Sequence, residues 1–213
     1  KINGVLIVAP KGVYRNWVER EIPYHLPDFI DINMMLWTPH VTKQVEKEKE
    51  KLLNDSASRL NILVMNVEAL STPKGAKFAY SFLSKYKTLM AVDESTTIKN
   101  PTAKRTKNIV SLGKYAYYRR ILTGSPVTRS PLDVYTFRAR YALLAPGFAG
   151  GRSFKKVVGF QNIDELNELL TKFSYRVLKK DCLDLPDKVY VRREIEMSPE
   201  QKKVYGELKR YAI

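Results

Sequence analysis

The chain has 213 residues, 44% of them hydrophobic, enough for one large domain or a domain with an appendage. Its 37 Lys and Arg against 22 Asp and Glu give a net charge of +15, which points to a polyanionic partner, nucleic acid foremost, with an uninvolved basic surface as the alternative. No apolar run is long enough to span a membrane, no signal peptide is seen, and the single Cys182 with His25 and His40 has no zinc-ligand spacing, so a reducing, cytoplasmic setting is expected.

Gly4-Val5-Leu6-Ile7-Val8-Ala9-Pro10 is a continuous apolar run stopped by proline, the pattern of a buried strand. After the turn at Pro10, Lys11 and Gly12, the residues Val13, Trp17, Val18 and Ile22 recur at helical spacing. Ile30 to Trp37 reads as a second strand. Val41 to Asp55 reads as a charged helix with Val41, Val45, Leu52 and Leu53 inward; its alternating Glu and Lys suit a solvated face. Leu60 to Asn66 is a third strand, Val67 to Leu70 a short helical turn, and Lys77 to Tyr86 a further helix.

Leu89 to Val92 is a fourth apolar run, and it ends in two adjacent carboxylates, Asp93 and Glu94. Acids at the carboxyl end of a buried strand are costly unless they meet a cation. A magnesium-nucleotide site and a plain acidic turn are both open readings. Asn100 and Pro101 then suit the start of a helix carrying Lys104, Arg105 and Lys107. Tyr118 to Leu122 is a fifth strand, ending in Thr123-Gly124-Ser125-Pro126, and Pro131 to Leu144 a helix.

Strand and helix in alternation predict a doubly wound parallel sheet with helices on both faces. The turns after Val8, Met65, Val92 and Leu122 should gather at one edge. Beyond Pro146 the pattern changes. Gly147, Gly150 and Gly151 make a loose connection. Asn162 and Glu165 suit a cap before the stripe Ile163, Leu166, Leu169, Leu170 and Phe173. Lys188 to Met197 alternates as a strand would, and Ser198, Pro199 and Gln201 open a last helix.

Several segments, in order, resemble the Swi/Snf-like ATPases of the DEAD/DEAH-box helicase superfamily, in particular their shorter phage and bacterial relatives. Val5 to Lys11 with Asn16-Trp17 is similar to motif Ia, and Asn66 to Leu70 to the next motif turn. Asp93-Glu94-Ser95-Thr96 with Ile98-Lys99-Asn100 resembles motif II, the Walker B box. Leu122 to Pro126 with Ser130-Pro131-Leu132 and Tyr135 resembles motif III, and Arg176 to Lys188 the family's linker. The resemblance implies a RecA-like P-loop NTPase fold. Residues 1–146 would be a partial first RecA-like domain, 147–187 a helical insertion or linker, and 188–213 the approach to a second RecA-like domain bearing an arginine finger.

The resemblance also implies roles. Asp93 would hold Mg2+ through water and Glu94 would orient or deprotonate the attacking water, with ATP as cofactor. Thr123 and Ser125 would lie beside motif II and pass changes at the nucleotide to the nucleic-acid face. Pro10, Lys11, Asn66 and Glu68 would border a DNA track, with Lys11 on phosphate and Lys99, Lys104, Arg105 and Lys107 on the backbone. The sequence departs from the family at two points. Gly-x-x-x-x-Gly-Lys-Ser/Thr is absent, and Ser95-Thr96 stands where Ala-His is commoner.

The expected activity is that of a fragment of an ATP-dependent translocase or helicase on double-stranded DNA in a prokaryotic or phage-infected cell, inactive on its own. A non-catalytic nucleic-acid-binding module and the motor subunit of a restriction system are the alternatives. With the phosphate-loop strand placed mid-sheet and outside this chain, the sheet should show a gap, close up or borrow a strand. An uninterrupted sheet with no borrowed strand would count against that placement.

Overall fold

The computed structural model describes residues 1–40, 42–56, 58–100, 102–124, 163–172, 174–177, 182, 184, 186 and 189–211. Packing divides the chain into a unit of Lys1–Asn167 and a unit of Glu168–Ile213. The first is built on five parallel strands: β1 (Gly4–Ala9), β2 (Ile32–Leu36), β3 (Leu60–Asn66), β4 (Thr88–Val92) and β5 (Tyr118–Ile121). They lie in the order β2-β3-β1-β4-β5.

The continuous apolar runs are the interior strands, as burial on both faces requires. Alternate residues of β1 and β3 serve opposite faces. Leu6, Val8, Leu63 and Met65 join Phe82, Leu83, Ile109 and Leu112 on one side. Ile7, Ile62 and Val64 join Ile22, Trp17 and Val18 on the other. The first face is therefore covered by α3 (Lys43–Asn54), α4 (Pro73–Lys85) and α5 (Lys104–Leu112), the second by the helical stretch of residues 14–25.

That stretch is not one regular helix. It is α-helical at α1 (Tyr14–Asn16) and α2 (Ile22–His25) and widens to a π turn over Trp17–Glu21, where Ile22 N–H donates to the Trp17 carbonyl. Pro23 supplies the reason. It has no N–H to give the Glu19 carbonyl, and its ring would crowd that carbonyl in a regular α-helix.

Elsewhere the elements start close to where the residues say. In α3, Thr42 Oγ1 accepts from Val45 N–H at 3.2 Å; Leu52 is fully buried and Val45 and Leu53 half-buried. Two starts differ from expectation. α4 begins at Pro73, not Lys77, because Thr72 caps it and proline at the first position loses no bond. α5 begins at Lys104, with Ala103 at the cap. Asn100 does not cap it; its Oδ1 accepts from Thr102 N–H and Oγ1 in a local turn instead.

Of the expected gap, closure or borrowed strand, no gap and no borrowed strand are found among the described residues. β3, β1 and β4 are each bonded on both sides, so no interior slot is open among the described residues. The mid-sheet placement of a phosphate-loop strand, with a gap left behind, is therefore corrected; a sixth strand would have to lie outside β2 or β5.

Farther along, α6 (Ile163–Thr171) carries the half-buried Leu169 and Leu170, and α7 (Pro199–Tyr211) closes the described chain. Ser198 and Gln201 make the expected reciprocal cap: Gln201 N–H to Ser198 Oγ at 3.3 Å, Ser198 N–H to Gln201 Oε1 at 3.0 Å. Residues 189–197 are exposed and form no strand, because no strand among the described residues bonds them. The helix expected over 131–144, Val41, Asn162 and Phe173 lie outside the described residues. No helix among the described residues is long and apolar enough to cross a membrane.

Gly75 carries a tight contact in the main unit. A Cβ there would press on the Ala69 carbonyl oxygen and lie 2.8 Å from its carbon. Gly75→Ala is expected to destabilise the protein by about 1–3 kcal/mol in urea unfolding, the usual cost of overpacking. An unchanged midpoint would show that the turn at Val67–Ser71 can move away.

Candidate functional site

Parallel pairing in register brings the strand ends together. Val8 lies opposite both Met65 and Val92, and Val92 opposite Ile121. The residues that follow, Pro10 and Lys11, Asn66, Asp93 and Thr123, therefore share the carboxyl edge of the sheet, as the strand pattern predicts. Ligands of open parallel sheets bind at that edge.

Asp93 is half-buried and held at three points. Its N–H donates to the Val8 carbonyl at 2.8 Å, continuing the β1–β4 ladder by one rung. Oδ1 accepts from Glu94 N–H at 2.9 Å. Oδ2 accepts from the Trp17 indole N–H, also at 2.9 Å, across 76 residues of sequence. Glu94 next to it is exposed, with φ 43° and ψ 56°, the one non-glycine with positive φ among the described residues. A left-handed residue breaks the up-down alternation of the strand, so the second carboxylate is not forced to the face opposite the first. Such a conformation costs an L-residue about 1–2 kcal/mol.

The loop after the acids is pinned from two sides. Ser95 N–H donates to the Leu122 carbonyl at 3.0 Å, and Leu122 N–H to the Val92 carbonyl at 2.8 Å, which ties the acidic loop to the end of β5. Behind it, Arg105 Nε donates to the Thr97 carbonyl at 3.0 Å and Thr106 Oγ1 to the Ile98 carbonyl at 3.2 Å. Within this grip, Ser95 Oγ and Thr97 Oγ1 are buried without a hydrogen-bond partner among the described residues. Leaving a buried hydroxyl unsatisfied costs about 1–3 kcal/mol.

The other expected residues fall as follows. Lys11 is exposed in the turn closed by Val13 and Tyr14 N–H onto the Pro10 carbonyl. Asn66 Nδ2 donates to Glu68 Oε2 at 2.9 Å, so these two act as a pair at the end of β3. Lys104 and Lys107 are exposed on α5, Lys99 is half-buried, and Arg105 is committed at least in part to the loop. Thr123 is half-buried, one residue past the Leu122 carbonyl that accepts from Ser95 N–H, and Ser125 lies outside the described residues.

Sequence reasoning placed Trp17 in an apolar stripe and in the segment that resembles motif Ia, and missed its bond to Asp93. No local signal could have found it, since the partner is made by the sheet.

The donor chemistry suits a hard cation. Asp93 and Glu94 offer carboxylate oxygens, and no third Asp, Glu, His or Cys joins them in a cluster among the described residues. Magnesium is commonly held by one or two carboxylates, with phosphate and water completing its shell.

A parallel sheet covered on both faces, with paired acids at the carboxyl end of an interior strand, defines a RecA-like core. Its fold is similar to that of the SWI2/SNF2 ATPase core of Sulfolobus solfataricus solved in complex with dsDNA, at TM-score 0.54 and 22% identity over 98% of this chain and 42% of that one. The chain belongs to the SNF2-related domain family, whose model matches residues 1–213. Among curated relatives it is 23% identical to the mouse Helicase-like transcription factor over 98% of its length, and 23% identical to the Chromatin remodeling factor mit1 of Schizosaccharomyces pombe over 94%. It is 24% identical to the TATA-binding protein-associated factor mot1 of the same yeast over 95%. The chain spans 21%, 14% and 10% of those three proteins.

Because glycine adopts the left-handed conformation freely, Glu94→Gly is expected to be more stable than Glu94→Ala by about 0.5–1 kcal/mol, net of glycine's larger unfolding entropy. Thermal unfolding of the two variants side by side checks this; equal midpoints would mean that the loop relaxes around alanine.

Proposed function

We propose that this chain is the acid-bearing part of an ATP-driven motor on double-stranded DNA, with Asp93 on the metal side and Glu94 on the water side of the hydrolysed bond. The observation that carries the reading is where local rules are broken. A left-handed glutamate and two unsatisfied buried hydroxyls fall within four residues, directly after the strand that delivers Asp93. Such departures concentrate at functional sites, where surrounding structure holds them in place. A plain acidic turn needs none of them. Membership of the SNF2-related domain family, and the likeness to a core solved with dsDNA, support the same reading.

Magnesium bound beside Asp93 would neutralise charge developing on the phosphates. The chain's own residues do the rest. Asp93 presents a fixed carboxylate. Glu94, exposed at the loop, orients the attacking water and takes its proton. Ser95, bonded through its N–H to Leu122, couples the loop to the strand end where Thr123 stands. Lys11, Lys104 and Lys107 supply positive charge at exposed positions for a phosphate backbone, in keeping with the net charge of +15. The phosphate-binding loop and the arginine finger would come from segments outside these 213 residues, and residues 147–213 would lead toward the second domain. The SNF2 assignment rests on the family match and on the curated relatives, which come from mouse and fission yeast.

The test is DNA-stimulated ATPase activity of the intact protein. Glu94→Gln is expected to lower kcat by about 100-fold or more, the range of a lost general base, with DNA binding retained and still weakened by salt. Full ATPase activity in that variant would overturn the assignment. Salt-sensitive DNA binding in an intact protein with no ATPase activity would favour the non-catalytic binding module.

A further inference from the structure

Trp17 is one of two tryptophans, and the two are placed differently. Trp37 is 4% exposed in the larger core cluster. Trp17 packs against the opposite cluster of Ile7, Ile22, Ile62 and Val64, and its indole N–H ends on Asp93 Oδ2 at 2.9 Å. Its backbone opens the π turn that precedes Pro23, and single π turns in α-helices recur at functional sites. The ring thus approaches the sheet edge from a widened turn, with its body fixed by apolar packing and its one donor on a carboxylate.

We propose that Trp17 is a positioning residue for Asp93. The inference rests on the reading of Asp93 as the metal-side carboxylate. Indole is a donor only, so it cannot compete with the carboxylate for a cation. With Trp17 on Oδ2 and Glu94 N–H on Oδ1, each oxygen has one donor, and the plane of the group is set. Each oxygen keeps a further lone pair for a magnesium-bound water. Outer partners of this kind orient a ligand, and their loss costs about 10- to 100-fold in metal affinity or activity. The competing account is that a half-buried indole finds some acceptor and Asp93 is merely at hand. In that case removing the N–H would alter stability and leave the metal dependence alone.

The test uses the intact protein with Trp17 replaced by benzothienylalanine, which keeps the ring shape and lacks the N–H. Trp17→Phe serves as a second variant. The Mg2+ concentration giving half-maximal DNA-stimulated ATPase is expected to rise about 10-fold or more, with DNA affinity unchanged. A direct readout is fluorine NMR of a fluorotryptophan placed at position 17. Its resonance is expected to move when Mg2+ is added to the ADP-bound protein, and to stay still in Asp93→Asn. An unchanged Mg2+ dependence in the benzothienylalanine variant, or a resonance blind to Mg2+, would overturn the proposal. Full ATPase activity in Asp93→Asn would instead overturn the underlying reading of the site.

Discussion

The two-sided pairing of β1 is the constraint from which the rest of the main unit follows. Its Gly4–Ala9 ladder to β3 and Gly4–Val8 ladder to β4 set a common register for three strands. At the start of that ladder only glycine fits: a Cβ on Gly4 would lie 2.5 Å from Thr88 Oγ1 and 2.7 Å from Tyr86 Cβ. At its far end the bond from Asp93 N–H to the Val8 carbonyl carries the ladder into the acidic loop. Asp93 is thus the last rung of a sheet interior, and it takes its rigidity from residues buried on both faces.

Rigidity on one side allows irregularity on the other. The loop of Glu94 to Ile98 holds a left-handed residue and two hydroxyls unpaired among the described residues, which a free loop would relax away. It cannot, because β5 holds it through Leu122 and α5 holds it through Arg105 and Thr106. α5 in turn is fastened to the turn after β3, where Asn108 Nδ2 donates to the Leu70 carbonyl at 2.6 Å. A displacement of the acidic loop would therefore be felt at β5, at α5 and at the turn beside Asn66 and Glu68.

The parallel fold was legible because interior strands announce themselves. Val5 to Ala9, Ile62 to Met65 and Leu89 to Val92 are apolar on both parities, and only a sheet covered on both sides has use for that. The acids were legible for the same reason, since a carboxylate pair after such a run is conspicuous. What stayed hidden depended on tertiary contacts. Asn100 looked like a helix cap, yet its side chain found a closer donor in Thr102. Lys188 to Met197 alternated like a strand, yet residues 189–197 pair with no other strand among the described residues. Trp17 read as an apolar stripe position within the motif Ia likeness, and only the folded sheet shows what its nitrogen touches. The uninterrupted sheet was hidden too, because strand order cannot be read from strand existence.

β5 has a consequence of a different kind. Among the described residues it is bonded to β4 alone, and all four of its residues are exposed. A row of backbone donors and acceptors of this sort is an invitation to self-association. Its two middle positions are Arg119 and Arg120, whose guanidinium groups cap the Gly113 and Arg119 carbonyls. Two copies meeting edge to edge would bring four guanidinium groups into one small region, with no carboxylate on either strand to offset them. In these 213 residues taken alone, that margin carries its own guard, and self-association through it should depend on ionic strength more than on temperature.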